Sequence, residues 1–126
     1  MAAQYPEQYY EFFRKFNVGE YYECHDLLED IWMEDKTNKF LQGMLQLAVG
    51  IYHFECGNMK GARWMFTNAR KYLANYTPVY WSLNVEQVID YIEECLAALP
   101  EIDSIPYQEV KSIPFPYRKL QLEQQS

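Results

Sequence analysis

The chain is poor in cysteine, histidine and positive charge. Its 126 residues include three cysteines and two histidines, and 18 acidic residues outnumber 11 basic ones, giving a net charge of -7. An odd cysteine count without any Cys-x-x-Cys pair argues against a disulfide framework and against a cysteine-based zinc site. The acidic balance argues against nucleic acid or an anionic membrane as a partner.

Long apolar runs are also missing. No segment reaches the roughly 18 apolar residues that a membrane span requires. The N-terminal sequence MAAQYPEQYYEFF lacks the basic and apolar regions of a signal peptide. We therefore expect a soluble cytoplasmic protein with reduced cysteines. Hydrophobic residues make up 49% of the chain and aromatic residues 17%, which predicts a packed core.

Apolar side chains recur at spacings of three and four along five segments, which predicts an all-α fold, a single-domain bundle of about five helices. Asn58 and Asn84 are expected as N-caps of two of these helices and Thr37 or Asn38 as the N-cap of a third. Gly57 is expected to end one helix in the left-handed conformation. The predicted helices run from Pro6 to Phe16, from about Glu20 to Met33, from Thr37 or Asn38 to about Cys56, from Asn58 to about Leu73 and from Asn84 to Leu99.

Two glycines interrupt the third predicted helix on one face. Gly43 and Gly50 lie seven residues apart, and each costs about 1 kcal/mol relative to alanine inside a helix. The close approach of a neighbouring helix would explain both.

The pattern changes after Pro100. Residues 101–126 have no helical period and contain three further prolines, Pro106, Pro114 and Pro116. Their apolar side chains are too many for a free tail. We predict a helical domain over residues 1–100 and an extended C-terminal arm over residues 101–126. The arm would lie either on its own bundle or on a second subunit, in which case it would form a homo-oligomer.

The candidate functional site starts from the stretch YYECHDLLEDIW, residues 21–32. Positions four and seven apart share one face of a helix. The third predicted helix also carries polar side chains on one face. A polar side chain removed from water needs a partner, so we predict that the two helices face one another across a polar seam. The seam residues would be Tyr21, His25, Glu29, Trp32, Gln42, Gln46 and His53.

Three interpretations of this seam stay open. It could be a structural hydrogen-bond network that fixes the register of two helices. It could bind a small-molecule ligand or a partner. Alternatively, it could belong to a metal-dependent or acid–base hydrolase-like enzyme that uses His25 and Glu29. No catalytic residue is assigned. No metal or cofactor is expected, because the chain has only two histidines and lacks the motifs His-Glu-x-x-His and Glu-x-x-His. By ligand type, a metal site assembled across helices from His25, Glu29 and His53 stays open.

The same residues carry a family pattern: a Tyr-x-Glu-x-His-acid-x-x-Glu-x-x-Trp motif, then Phe-Leu-Gln-Gly-x-x-Gln-x-Ala, an aromatic–His pair and Asn-x-x-Gly-Ala. Over residues 16–73 the sequence resembles the small helical proteins known as domain of unknown function 309. The resemblance implies an all-α bundle without an established activity. Asp26 stands where the family usually has Glu. The matching residues are Gly19, Tyr21, Glu23, His25, Asp26, Glu29, Trp32, Gln42, Gly43, Gln46, Ala48, Tyr52, His53, Asn58, Gly61 and Ala62.

Overall fold

The computed structural model describes residues 5–34 and 36–123, and it confirms the all-α bundle. The α-helices are α1 (Glu7–Asn17), α2 (Tyr21–Glu34), α3 (Lys39–Glu55), α4 (Met59–Leu73) and α5 (Val85–Ala98). Short 3₁₀ helices cover Ala74–Tyr76 and Tyr107–Ser112, and β1 (Val79–Tyr80) pairs antiparallel with β2 (Leu83–Asn84). Within the described residues, none of the helices is long and apolar enough to cross a membrane.

The helix ends follow the predicted local chemistry. Asn38, Asn58 and Asn84 each accept a hydrogen bond through their side chain from the backbone N–H three residues on, at 3.2, 2.8 and 3.1 Å. These bonds satisfy donors that the first turn of a helix leaves unpaired. Gly57 has φ +84°, as predicted for a left-handed residue after α3.

Each helix packs on the next, and α3 makes its most extensive contact with α4 and its second with α2. Aromatic side chains fill much of the core. Burying one such side chain contributes about 1.5–3 kcal/mol, so these residues dominate the packing. Those with under 2% exposure are Tyr9, Phe12, Phe16, Phe40, Phe54 and Phe66.

The two glycines of α3 lie against α4, as predicted. A Cβ atom on Gly50 would lie 2.7 Å from Cε1 of Phe66, and one on Gly43 would lie 2.9 Å from Cγ of Leu73. Either contact is closer than real Cβ atoms tolerate, so the helices reach this separation only because both positions lack a side chain.

The structure differs from the sequence prediction between α4 and α5. The segment predicted as a loop holds the β1–β2 hairpin, whose turn residues Trp81 and Ser82 have φ of 48° and 60°. Strands of two residues are too short to show an alternating pattern. In α5, Tyr91 and Cys95 are buried, while Ile89 and Leu96 are half-buried.

The arm packs on its own chain. The Ile105 N–H donates to the Gly57 carbonyl at 2.9 Å, and the Phe115 ring stacks on Phe54 at a centroid distance of 4.2 Å. Further along, the Asn17 side chain donates to the Leu120 carbonyl at 2.8 Å and accepts from the Leu120 N–H at 2.7 Å. The arm also contains the 3₁₀ helix Tyr107–Ser112, which the sequence pattern did not indicate.

Candidate functional site

The predicted seam residues of α2 occupy different environments. Tyr21 is buried, and its ring packs on Phe16 at 5.1 Å and on Tyr117 of the arm at 6.2 Å. Burial raises the pKa of Tyr21 above its ordinary value. Trp32, three turns further on, is half-buried, and Lys36 Nζ lies 6.0 Å from its ring centroid. Tyr21 therefore helps to hold the arm, whereas Trp32 lies at the other end of the helix.

His25 and Glu29 form a pair on the surface of α2. Nε2 of His25 lies 3.2 Å from Oε2 of Glu29, and the two side chains are 40% and 47% exposed. Nδ1 of His25 lies 3.5 Å from Oδ1 of Asp26, which is long for a hydrogen bond. An exposed pair one turn apart contributes only a few tenths of a kcal/mol, about 0.3–0.5, so it orients the imidazole more than it stabilises the fold.

The three predicted residues of α3 lie on its outer face. Gln42 accepts from Lys39 Nζ at 3.4 Å, and Nδ1 of His53 accepts from the Asn58 side-chain amide at 3.3 Å. Burial lowers the pKa of His53, and a lowered pKa agrees with a neutral imidazole that accepts at Nδ1. Gln46 is half-buried.

The two sets of residues lie on neighbouring helices. The ring contact of Tyr22 with Tyr52, at 5.3 Å, also joins the outer surfaces of α2 and α3. In the described part of the chain, no hydrogen bond or ion pair links His25 or Glu29 to the three α3 residues. The joint seam stays a prediction. We give the name polar face to the outer surface of α2 and α3 around His25, Glu29, Trp32, Gln42, Gln46 and His53.

Two members of the polar face carry buried polar atoms without a hydrogen-bond partner among residues 5–34 and 36–123. They are Nε1 of Trp32, a donor, and Oε1 of Gln46, an acceptor. Leaving such an atom unpaired costs about 1–3 kcal/mol. Because most buried polar atoms in proteins are satisfied, these two atoms mark where the described residues do not complete their hydrogen bonds.

The donor set of the polar face suits a metal ion poorly. His25 and Glu29 lie together, whereas the third possible ligand, His53, accepts from Asn58 instead. A structural zinc site uses four protein ligands and a catalytic one three. Across the described residues, no cluster of three or more His, Cys, Asp or Glu side chains is arranged to hold a metal ion.

Sequence reasoning missed a cavity of about 410 Å³ at the C-terminal end of α3, where the helix meets the arm. Nothing in the sequence pattern indicated it, because the residues of the arm have no period that would say which side chains face the bundle. The lining residues are Phe54, Glu55, Tyr107, Val110, Lys111, Ile113 and Tyr117.

Comparison with known proteins confirms the predicted resemblance. Residues 9–65 match the family described as Domain of unknown function (DUF309). The chain is 36% identical over 73 residues to "Uncharacterized protein YpuF" of Bacillus subtilis (strain 168), which covers 55% of this chain and 42% of that protein.

The chain is also 25% identical over 84 residues to an "Uncharacterized protein" of Aquifex aeolicus (strain VF5). This match covers 64% of this chain and 25% of that protein. The chain thus spans less than half the length of these curated relatives. No solved structure matches the chain.

Proposed function

Starting from the match of residues 9–65 to domain of unknown function 309, we propose that the chain is a non-catalytic binding module that uses its polar face. The observation that carries this proposal is the pair of unpaired atoms, Nε1 of Trp32 and Oε1 of Gln46. Both atoms are buried, so a bound molecule would have to displace the side chains that cover them. If it then offered an acceptor to the first atom and a donor to the second, it would recover two hydrogen bonds. Both residues were assigned to the site from the sequence.

The shape of the polar face favours a polypeptide partner over a small molecule. From Gln42 to His53 the face extends about 16 Å along α3, at 1.5 Å per residue. At one end, the exposed rings of Tyr22 and Tyr52 provide aromatic contact area. Aromatic residues contribute strongly to protein interfaces. A peptide segment lying along α3 could reach the aromatic rings and the polar side chains together.

The test is a selection of peptides against the wild-type chain, with the Trp32→Phe/Gln46→Met double variant as the counter-selection target. Gln46→Met keeps size and Trp32→Phe keeps an aromatic ring of smaller size, and both substitutions remove the unpaired atoms. We expect peptides whose affinity, measured by calorimetry, falls about ten-fold or more in the double variant. The proposal fails if every selected peptide binds both proteins equally.

A matched control separates recognition by these atoms from general surface adhesion. The substitution Trp64→Phe changes another tryptophan, 67% exposed on α4. Peptides that use the polar face should bind this variant as they bind the wild type.

The geometry of His25 and Glu29 favours a second candidate, acid–base catalysis. A carboxylate at 3.2 Å from Nε2 can hold an imidazole in one orientation. If the pair is catalytic, a hydrolase substrate screen should reveal turnover that Glu29→Gln abolishes while the melting temperature is unchanged. Activity retained in Glu29→Gln would exclude the pair as its source.

The remaining expectations from the sequence belong to this proposal. We propose a cytoplasmic protein that binds neither nucleic acid nor membrane, in agreement with its net charge of -7.

Self-association through the arm would require the arm to leave its own bundle. Sedimentation at increasing concentration, with and without the substitution Phe115→Ala, would detect it.

A further inference from the structure

The cavity beside the arm has the features of a small-molecule site and is separate from the polar face. Its volume of about 410 Å³ falls in the range usual for ligand pockets, about 300–1,000 Å³. Apolar side chains of Phe54, Val110 and Ile113 line it together with two tyrosine rings and two charged groups. None of the seven predicted site residues lines this cavity.

Glu55 brings a negative charge into the cavity. Its Oε2 accepts a hydrogen bond from the Tyr117 hydroxyl at 3.0 Å, and no cation of the described residues forms an ion pair with it. Burial raises the pKa of Glu55, although the bond from Tyr117 opposes the shift. A carboxylate partly removed from water gains more than an exposed one when a cation binds beside it.

Lys111 brings a positive charge to the same cavity. In the described part of the chain, no carboxylate lies within ion-pair distance of its Nζ, so Lys111 and Glu55 do not neutralise each other. Lys111 would repel a ligand with a single positive charge. Glu55 would repel a ligand with a single negative charge. Only a ligand with both charges can pair with both residues.

We propose that this cavity binds a small zwitterion with an apolar body, such as a free amino acid or a short peptide. The ammonium group of the ligand pairs with Glu55, and its carboxylate pairs with Lys111. The rings of Tyr107 and Tyr117 add cation–π attraction for the ammonium group, and the apolar lining covers the body of the ligand. The arm, through Tyr107 to Tyr117, then forms one wall of a binding site.

Titrations of the full chain, followed by two-dimensional NMR, test the charge requirement. The probes are L-phenylalanine and the dipeptide leucyl-phenylalanine as zwitterions, phenylalanine amide as the cation and 3-phenylpropionate as the anion. We expect saturable shifts around Glu55 and Lys111 with at least one zwitterion, and affinity about ten-fold or more weaker for both single-charge probes. Comparison of the two zwitterions distinguishes a free amino acid from a peptide.

Two variants with matched controls test the residues. Glu55→Gln keeps an acceptor for the Tyr117 hydroxyl, so the arm stays docked, and Lys111→Gln changes an exposed side chain. Each should weaken zwitterion binding about ten-fold or more. The controls Glu101→Gln and Lys119→Gln make the same charge changes on exposed arm residues outside the cavity, and they should leave affinity unchanged.

Three outcomes would overturn the proposal. They are the absence of saturable shifts with both zwitterions, equal affinity for a single-charge probe, and unchanged affinity in either cavity variant. Glu55→Gln and Lys111→Gln do not touch Trp32 or Gln46. A failure here therefore leaves the peptide-binding proposal to its own test.

Discussion

The helix α3 has two contrasting sides. On the side towards α4, which we call the glycine side, Gly43 and Gly50 let the helices approach so closely that no added atom fits. On the polar face, Nε1 of Trp32 and Oε1 of Gln46 have no partner among residues 5–34 and 36–123. The glycine side is closely packed, whereas the polar face leaves these two hydrogen bonds unmade within the described residues. The helix α3 thus packs closely on α4 with one surface, and with another it shares with α2 a face on which each helix carries one of these two buried atoms.

Of the substitutions on the two sides, Gly50→Ala should lower the free energy of unfolding most. The new methyl group would meet the fully buried ring of Phe66 and Cβ of Met65. With two neighbours to displace, we expect a cost near the upper end of the about 1–3 kcal/mol usual for overpacking. After the roughly 1 kcal/mol that alanine gains in helix propensity, a net loss of about 2 kcal/mol remains. Urea unfolding should show the loss.

Gly43→Ala is the matched control on the same helix. Its methyl group meets Leu73, whose side chain can shift more easily than a ring, so the loss should be smaller. A Gly50→Ala variant as stable as the wild type would show that the glycine side is looser than the structure indicates.

The arm packs beside the glycine side through Phe115. The substitution Phe115→Ala measures how much this contact contributes to the free energy of unfolding. The Phe115 ring stacks on Phe54 at 4.2 Å and lies 6.3 Å from Phe66. Because Phe115 is half-buried, we expect its removal to lower the unfolding free energy by about 1–2 kcal/mol. Phe115→Leu, which keeps most of the apolar contact, should lose less. Equal stability of all three proteins would mean that the arm contributes nothing to the fold.

On the polar face, Gln46→Met should change the unfolding free energy by no more than about 0.5 kcal/mol, and any change should be a gain. The substitution removes an acceptor that has no partner among the described residues, so no hydrogen bond is lost. Gln42→Met on the same face is the comparison variant. A loss above about 1 kcal/mol for Gln46→Met would favour the interpretation of the seam as a structural hydrogen-bond network.

The smallest expected effect is a pH dependence from His53. Burial lowers its pKa in the folded chain, so the unfolded chain binds the proton more readily. Above the unfolded pKa of about 6.5, His53 is neutral in both states and the folded chain has its full stability. As the pH falls below that value, the folded chain loses stability. Between pH 7 and pH 5 the wild type should lose more stability than His53→Gln. Parallel pH profiles of the two proteins would contradict this assignment.

Much of the fold was predictable because its signals are local. The asparagine caps, the left-handed Gly57 and the apolar spacing each act within a few residues, and each predicted helix is present. The close approach at Gly43 and Gly50 was also predictable, since glycine inside a helix is costly without a packing reason. The β1–β2 hairpin was missed because strands of two residues carry no pattern.

For the candidate site, the sequence selected residue types but not their environments. It placed His25 and Glu29 on one face, and the structure has them 3.2 Å apart. It grouped Tyr21 with them, yet the fold buries that ring against Phe16 and the arm. Helical periodicity predicts the direction in which a side chain leaves the helix, but it does not predict which neighbouring element packs against that side chain.

The five helices and their approximate ends follow from the sequence, because caps and apolar spacing depend on contacts within one or two turns. The position of the arm, the partners of buried polar atoms and the shared cavity of Glu55 and Lys111 follow from the fold. Glu55 and Lys111 are 56 positions apart in the sequence. Contacts over such separations depend on the path of the whole chain, and no local pattern encodes that path.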